Sequence, residues 1–337
     1  MKPTMRSKEI KMQNLLDPAI LFFIFGVLAG AVKSNLEIPP AISRFLSLYL
    51  LMALGLKGGF ALSHSGLTAD VGVGLGAAVS LAICIPLLGY WMLKRYVGGF
   101  DAAAVAATYG SVSAVTFVTA VQYLENMQIP YGGHMAAAMA LMESPAIIMA
   151  VVFANSLRLK ANGSHALVAG GKPSMSVGKV LHESFTDGAQ LLLLGAMVVG
   201  LITGESGKAA MQPFSGDLFK GMLSFFLLDM GLMAARNLPQ VKGKSPLLIA
   251  YAVLGPVVHA GLALSLSYVL QLNPGDGALL MVLAASASYI AVPAVLRYAL
   301  PEANPSLYFG MSLGVTFPLN ILFGIPAYVS LAQAVLS

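Results

Sequence analysis

Asp101 to Ala120 (DAAAVAATYGSVSAVTFVTA) carries no charge after its first residue, and thirteen of its twenty residues are Ala, Gly, Ser or Thr. So little bulk can lie in a bilayer only where small side chains let other helices come close. The pattern returns about 175 residues later, where Asp276 to Val295 reads DGALLMVLAASASYIAVPAV and sets Ser286 and Ser288 opposite Ser111 and Ser113. One chain therefore reads as two copies of one membrane unit. Each copy places Gly, Ser, Thr or Pro at mid-span, where freed backbone groups need a partner other than lipid, which fits a broken helix lining a site.

With 58% hydrophobic and 10% charged residues and a mean hydropathy of +0.81, the chain reads as an integral membrane protein. Its net charge of +5 does not point to nucleic acid, because the Lys and Arg sit in short segments between apolar runs. Cys84 is the only cysteine, so neither an internal disulfide nor a thiolate metal site is expected. Lys2, Arg6, Lys8 and Lys11 before an apolar run resemble a signal peptide, but Gly26 and Gly30 in that run are echoed by Gly195 and Gly200, which favours a retained helix.

Apolar runs of spanning length fall near 16–33, 43–63, 71–93, 102–123 and 133–157, and five more near 188–204, 217–236, 246–271, 277–299 and 306–333. The expected fold is an all-α integral membrane protein of ten transmembrane helices. Residues 1–157 would form the first five-helix repeat, 158–187 a polar cytoplasmic linker and 188–337 the second repeat. LLMALGLKGG at 51 resembles FLLDMGLMAA at 226, with Gly55 opposite Gly231, and the DPAI and DGAQ starts at Asp17 and Asp187 also correspond. An odd number of spans per copy inverts the second relative to the first, which is a transporter architecture. Twelve Lys or Arg fall on the linker side, including Lys94, Arg95, Arg158, Lys160, Arg236, Lys242 and Lys244, against seven on the other side. The linker side is therefore expected to be cytoplasmic, in the cell inner membrane.

Breaks near Gly110–Ser113 and Ala285–Ser288 would turn two half-helix N-termini toward the midplane, where free N–H groups and positive dipole ends favour an anion. The hydroxyls of Ser111, Ser113, Thr116, Ser286 and Ser288 can donate there, although Ser and Thr also bond their own helix carbonyls. Glu143, in LMESPAII, is an ionisable group inside an apolar span and reads as part of an ion pathway. Pro145 after it frees a carbonyl. The matching stretch GVTFPLN again sets oxygen ligands beside a proline, so Glu143, Ser144, Thr316 and Asn320 are candidates for a hard monovalent cation such as Na⁺. Lys57 and Asp229, one turn from Gly55 and Gly231, are expected to pair as a structural or gating contact.

Several motifs are excluded. Gly72, Gly74 and Gly76 lack the strand and spacing of a dinucleotide loop, and His64, His134, His165, His182 and His259 lack metal-ligand spacing. GSVSA at 110–114 lacks the second Gly of a nucleophile elbow. The chain is therefore not expected to be an enzyme.

LEIPPAISRF (36–45), GLKGGFAL (55–62), GSVSAVT (110–116), the ESPA of the fifth run, ANPSLY (303–308) and the terminal LAQAVLS resemble the SbtA-type sodium-dependent bicarbonate transporters of cyanobacteria and other bacteria. The resemblance implies the inverted repeat, a homotrimer and import of bicarbonate together with sodium as coupling ion, without a cofactor. It also implies a PII-like regulator as a cytoplasmic partner. In that family's pattern an Asp stands where this chain has Tyr289, and another at the position of Glu143. Tyr289 thus joins Gly110 and the five hydroxyl residues as an anion-site candidate. Two other functions stay open: a sodium-coupled carrier of another small anion such as a monocarboxylate, which Tyr289 facing the cavity would favour, and a non-transporting membrane sensor or scaffold.

Overall fold

A computed structural model describes residues 17–66, 68–162, 188–241 and 244–337, all helix, turn or coil. The basic tail before Asp17 and residues 163–187 of the linker expected at 158–187 lie outside the described residues, while 158–162 continue the helix that begins at Met135. The first four helices are α1 (Pro18–Ala31), α2 (Pro40–Ser65), α3 (Ala69–Leu93) and α4 (Gly99–Gly110). They are followed by α5 (Ala114–Asn126), α6 (Met135–Asn162), α7 (Gly188–Met211), α8 (Phe219–Asn237) and α9 (Pro246–Val269). The last are α10 (Pro274–Ala285), α11 (Ala291–Ala299), α12 (Pro305–Met311), the single turn α13 (Phe317–Leu319) and α14 (Ile325–Leu336).

Among the described residues, seven stretches are long and apolar enough to cross a membrane, and Pro18–Ala31 and Pro274–Ala285 are shorter apolar helices. Nine stretches answer to the ten runs because the two expected near 188–204 and 217–236 follow one another within Gly188–Asn237, divided by a kink at Gly204. Gly204 takes φ +52° and ψ −139°, values outside the helical range, so the stretch is two helical pieces meeting at a kink, and a π turn at Gln212–Asp217 leads on into α8. The last run is also irregular. Before Pro318 and Pro326, which have no N–H to donate, the helix widens into π turns at Ser312–Thr316 and Asn320–Gly324. By contrast, α6 runs through Pro145 unbroken, so that proline removes only the donor to the Leu141 carbonyl.

Two groups of helices result. In the first, α1 packs along α8 and α2 along α7. Glycines set the spacing, since a Cβ on Gly26 would meet the Leu228 carbonyl and lie 3.1 Å from the Gly231 Cα, while one on Gly59 would meet the Met197 carbonyl and lie 2.9 Å from the Gly200 Cα. With backbones this close, dispersion between main chains replaces side-chain interdigitation. In the second group, α3, α4 and α6 pack together, as do α9, α10 and α14. The short helices α4 and α10 are buried from Ala102 and from Gly275 onward. This burial explains their Ala-rich composition: each is enclosed by protein on all sides.

Candidate functional site

Both predicted breaks are present. Between α4 and α5 the chain is extended at Ser111 and Ser113, and between α10 and α11 the helix stops at Ser286 and resumes at Ala291. The two breaks cross. Ser288 N–H donates to the Thr108 carbonyl at 2.9 Å, and Ser113 N–H donates to the Ser286 hydroxyl oxygen at 3.0 Å. Each break thus satisfies a peptide group that the other leaves without a helical partner.

The N-terminal ends of α5 and α11 line one cavity of about 230 Å³, through Ser113 and Ala114 on one side and Ser288, Tyr289 and Ala291 on the other. The Ser113 oxygen accepts from Thr116 N–H (3.2 Å) and from the Thr116 hydroxyl (2.9 Å), and the Ser288 oxygen accepts from Val292 N–H (3.2 Å). With lone pairs engaged by the helix ends, the two O–H groups are polarised as donors beside the dipole ends. Glu143 reaches the same cavity from α6 and accepts from Gln190 Nε2 on α7 at 2.6 Å. Ser47 and Leu51 of α2 complete that wall.

The remaining expected anion residues sit behind the cavity. Thr116 orients Ser113, and the Ser286 hydroxyl donates to the Leu283 carbonyl at 2.9 Å and holds the crossing. The Ser111 hydroxyl is buried with no hydrogen-bond partner among the described residues. Gly110 faces Pro86 of α3, whose ring fills the space a side chain would need. Tyr289 does line the cavity, while its hydroxyl contacts the Met230 sulfur at 3.6 Å and its ring packs on Phe317 at 5.2 Å.

The four expected cation ligands do not converge on the cavity. Only Glu143 lines it. Thr316 donates to the Ala252 carbonyl at 2.7 Å and shares a hydrogen bond with Tyr109, whereas Asn320 donates to the Ala285 carbonyl at 2.8 Å and accepts from Tyr328. Thr316 ends the first widened turn and Asn320 begins the second, and their side chains tie these turns to α9 and α10. The Ser144 hydroxyl is buried without a partner among the described residues.

Lys57 and Asp229 do not pair. Lys57 Nζ lies 3.0 Å from both Glu125 oxygens and 4.0 Å over the Phe219 ring, and Asp229 accepts from the Ser43 hydroxyl at 2.5 Å. The reason is that the two glycines used to align them face different helices. Gly55 meets Leu193 and Ala196 on α7 and Gly231 meets Phe23 and Gly26 on α1, while α2 and α8 touch in antiparallel register, Ser43 against Asp229 and Lys57 against Phe219, which leaves Lys57 at the start of α8 and away from Asp229. Tyr131, in the loop between α5 and α6, donates to Glu125 at 3.1 Å. Burial, and then the adjacent Glu125 carboxylate, push its phenol well above the usual range, which keeps it a donor. Removing either charge alone, by Lys57→Met or Glu125→Gln, is expected to lower the melting temperature more than the double change, as measured on purified protein, because each single change leaves a half-buried charge unpaired.

Gln190 and Glu125 are the site-side partners that sequence reasoning missed. Gln190 left a signal, since the aligned starts DPAI and DGAQ place an amide opposite Ile20. Glu125 left none beyond its position at the end of an apolar run.

No curated protein matches the chain. A family model does, over residues 18–333, and nearly every residue discussed above falls within it. Helices of spanning length, paired breaks and a cavity with a few polar side chains between them are what a membrane carrier needs, and with that match the chain belongs to the Na⁺-dependent bicarbonate transporter superfamily.

Proposed function

We propose that the chain is a symporter that imports bicarbonate with sodium across the inner membrane. The observation that carries this reading is that two helix N-termini, the Ser113 and Ser288 hydroxyls and the Glu143 carboxylate line one cavity. Bicarbonate has four heavy atoms, so its binding is bounded at roughly 6 kcal/mol, or tens of micromolar. Two helix ends at about 1 kcal/mol each and two hydroxyl donors at about 1 kcal/mol each, the middle of their usual ranges, fall short of that bound. A cation held at Glu143 supplies the remainder, which makes binding of the two ions mutually dependent.

The architecture proposed for this function is two inverted five-helix units, 1–157 and 188–337, joined by a cytoplasmic linker at 158–187. Packing supports the repeat. Offsets that align Asp17 with Asp187 and Gly55 with Gly231 turn the pair Gly30–Ala235 into Gly200–Gly59, and both pairs are close approaches between backbones or their Cβ atoms. They likewise turn Phe23 over Gly231 into Leu193 over Gly55, again a carbonyl facing a glycine in both halves. A homotrimer and a PII-like cytoplasmic regulator belong to the same proposal on the strength of the family resemblance alone.

Proteoliposomes should accumulate radiolabelled bicarbonate under an inward Na⁺ gradient and not when choline replaces Na⁺. Equal uptake in choline would remove the coupling. Ser113→Ala and Ser288→Ala should each raise the bicarbonate KM about three- to tenfold, the effect of about one hydrogen bond.

Tyr289 on the cavity wall favours a second reading, carriage of a small monocarboxylate, because Leu51, Met139, Ile147 and Leu193 offer apolar surface to an aliphatic tail. Competition between labelled bicarbonate and acetate, propionate and pyruvate distinguishes the two. Inhibition stronger than that by unlabelled bicarbonate would establish the monocarboxylate reading.

A further inference from the structure

Gln190 occupies a helix position that the first copy fills with Ile20. An apolar side chain serves that position on α1, so packing alone does not demand an amide on α7. Gln190 is nonetheless buried, lines the cavity and donates to Glu143 at 2.6 Å. The two residues come from different helix groups, α7 from the glycine-packed set and α6 from the set that carries the breaks. Their hydrogen bond spans the boundary between those groups.

A primary amide suits a carboxylate that must serve both with and without a cation. Its NH₂ donates to the bare carboxylate. Turned half a revolution about its last bond, it instead presents its carbonyl oxygen beside the carboxylate, giving two hard oxygen ligands from opposite walls. The turn exchanges atoms of nearly equal size, so the surroundings need not repack. Of the other oxygens expected at the cation, Thr316 is engaged with Ala252 and Tyr109 and Asn320 with Tyr328, while the Ser144 hydroxyl has no partner among the described residues and is not part of the cavity lining. Gln190 is the amide positioned to join Glu143.

We propose that Gln190 is a sodium ligand paired with Glu143 across the cavity, so that the bound ion joins α7 to α6. This role rests on the sodium-coupled reading of the cavity. It gives ion binding a mechanical consequence, because a cation held by both walls resists their separation, whereas a cation held by Glu143 alone does not.

The test uses full-length protein in detergent and in liposomes, titrated with NaCl at constant ionic strength, and reads both the melting temperature and bicarbonate uptake. Gln190→Leu, which resembles the Ile20 of the first copy and should fold, is expected to raise the Na⁺ concentration for half-maximal stabilisation and uptake about tenfold. Gln190→Glu keeps the shape and adds a charge, and should lower that concentration. Unchanged Na⁺ midpoints would overturn the assignment, and so would an effect confined to the bicarbonate KM at saturating Na⁺. If Gln190→Leu yields no folded protein, the Gln190→Glu midpoint decides alone, and an unshifted value overturns the assignment. Wild-type protein indifferent to Na⁺ is a separate result, which removes the sodium-coupled reading itself.

Discussion

Glu143→Gln is expected to abolish sodium-stimulated uptake while leaving the protein folded. The substitution keeps the size and hydrogen-bonding capacity of the side chain, so the contact with Gln190 on α7 can be retained. What it removes is the only acidic group among the described residues that line the cavity. A unit charge about 4 Å from a cation is worth roughly 4 kcal/mol at an effective dielectric constant of about 20, so the Na⁺ concentration for half-maximal uptake should rise by at least about a hundredfold. Within accessible salt concentrations this amounts to loss of coupling. The measurement is initial-rate uptake in proteoliposomes across a Na⁺ series, with the melting temperature as a check on folding. Full Na⁺-driven activity in Glu143→Gln would falsify the assignment of the ion to this carboxylate. Full cellular function of Glu143→Ala without any uptake by the wild type would instead favour a sensor or scaffold.

The second large effect is structural. Gly59→Val should prevent assembly of the membrane domain, because the three atoms nearest to an added Cβ are all backbone: the Met197 carbonyl oxygen, the Leu201 nitrogen and the Gly200 Cα. Side chains can rotate away from an intruding methyl group, but two helix backbones can only move apart, and that separates α2 from α7 along much of their length. The expected cost is about 3 kcal/mol or more, enough to consume a large share of typical stability. Size-exclusion of fluorescently tagged protein should show loss of the monodisperse peak. Gly72→Ala and Gly261→Ala, where a Cβ has nothing within 4 Å, serve as controls and should elute unchanged. A normal Gly59→Val profile would mean that the α2–α7 approach does not hold the fold together.

Much of the fold was legible in the chain because a bilayer leaves few options for an apolar segment. Length and hydropathy place the helices, and the small-residue segments ending at Ser113 and Ser288 mark both breaks, since Ser at mid-span in an otherwise Ala-rich run has few other reasons to recur. Partner choice was not legible. Gly55 and Gly231 match as sequence but face different helices, so the Lys57–Asp229 pair inferred from them gave way to Lys57–Glu125 and Ser43–Asp229. Periodicity shows which face of a helix must be buried and is silent on which neighbour buries it. The cation set was not brought together for a related reason. Thr316 and Asn320 carry suitable oxygens, but their side chains bond the Ala252 and Ala285 carbonyls of neighbouring helices and tie the widened turns to them. The amide that does reach Glu143 comes from the opposite helix group, at a position where the alignment of the copies shows only Ile20 against Gln190.

The crossing of the two interrupted segments also limits how a solute can pass. Thr108 and Ser288 exchange a main-chain bond, and Ser113 and Ser286 exchange another contact through a side chain, all four residues being buried. Pulling the segments apart would strand polar groups in a water-poor interior at roughly 1 to 3 kcal/mol each. The joint is therefore a knot rather than a hinge. Whatever displacement admits cargo on one face and releases it on the other must transport both interruptions as a single unit, with the yielding surfaces located around that unit and not inside it.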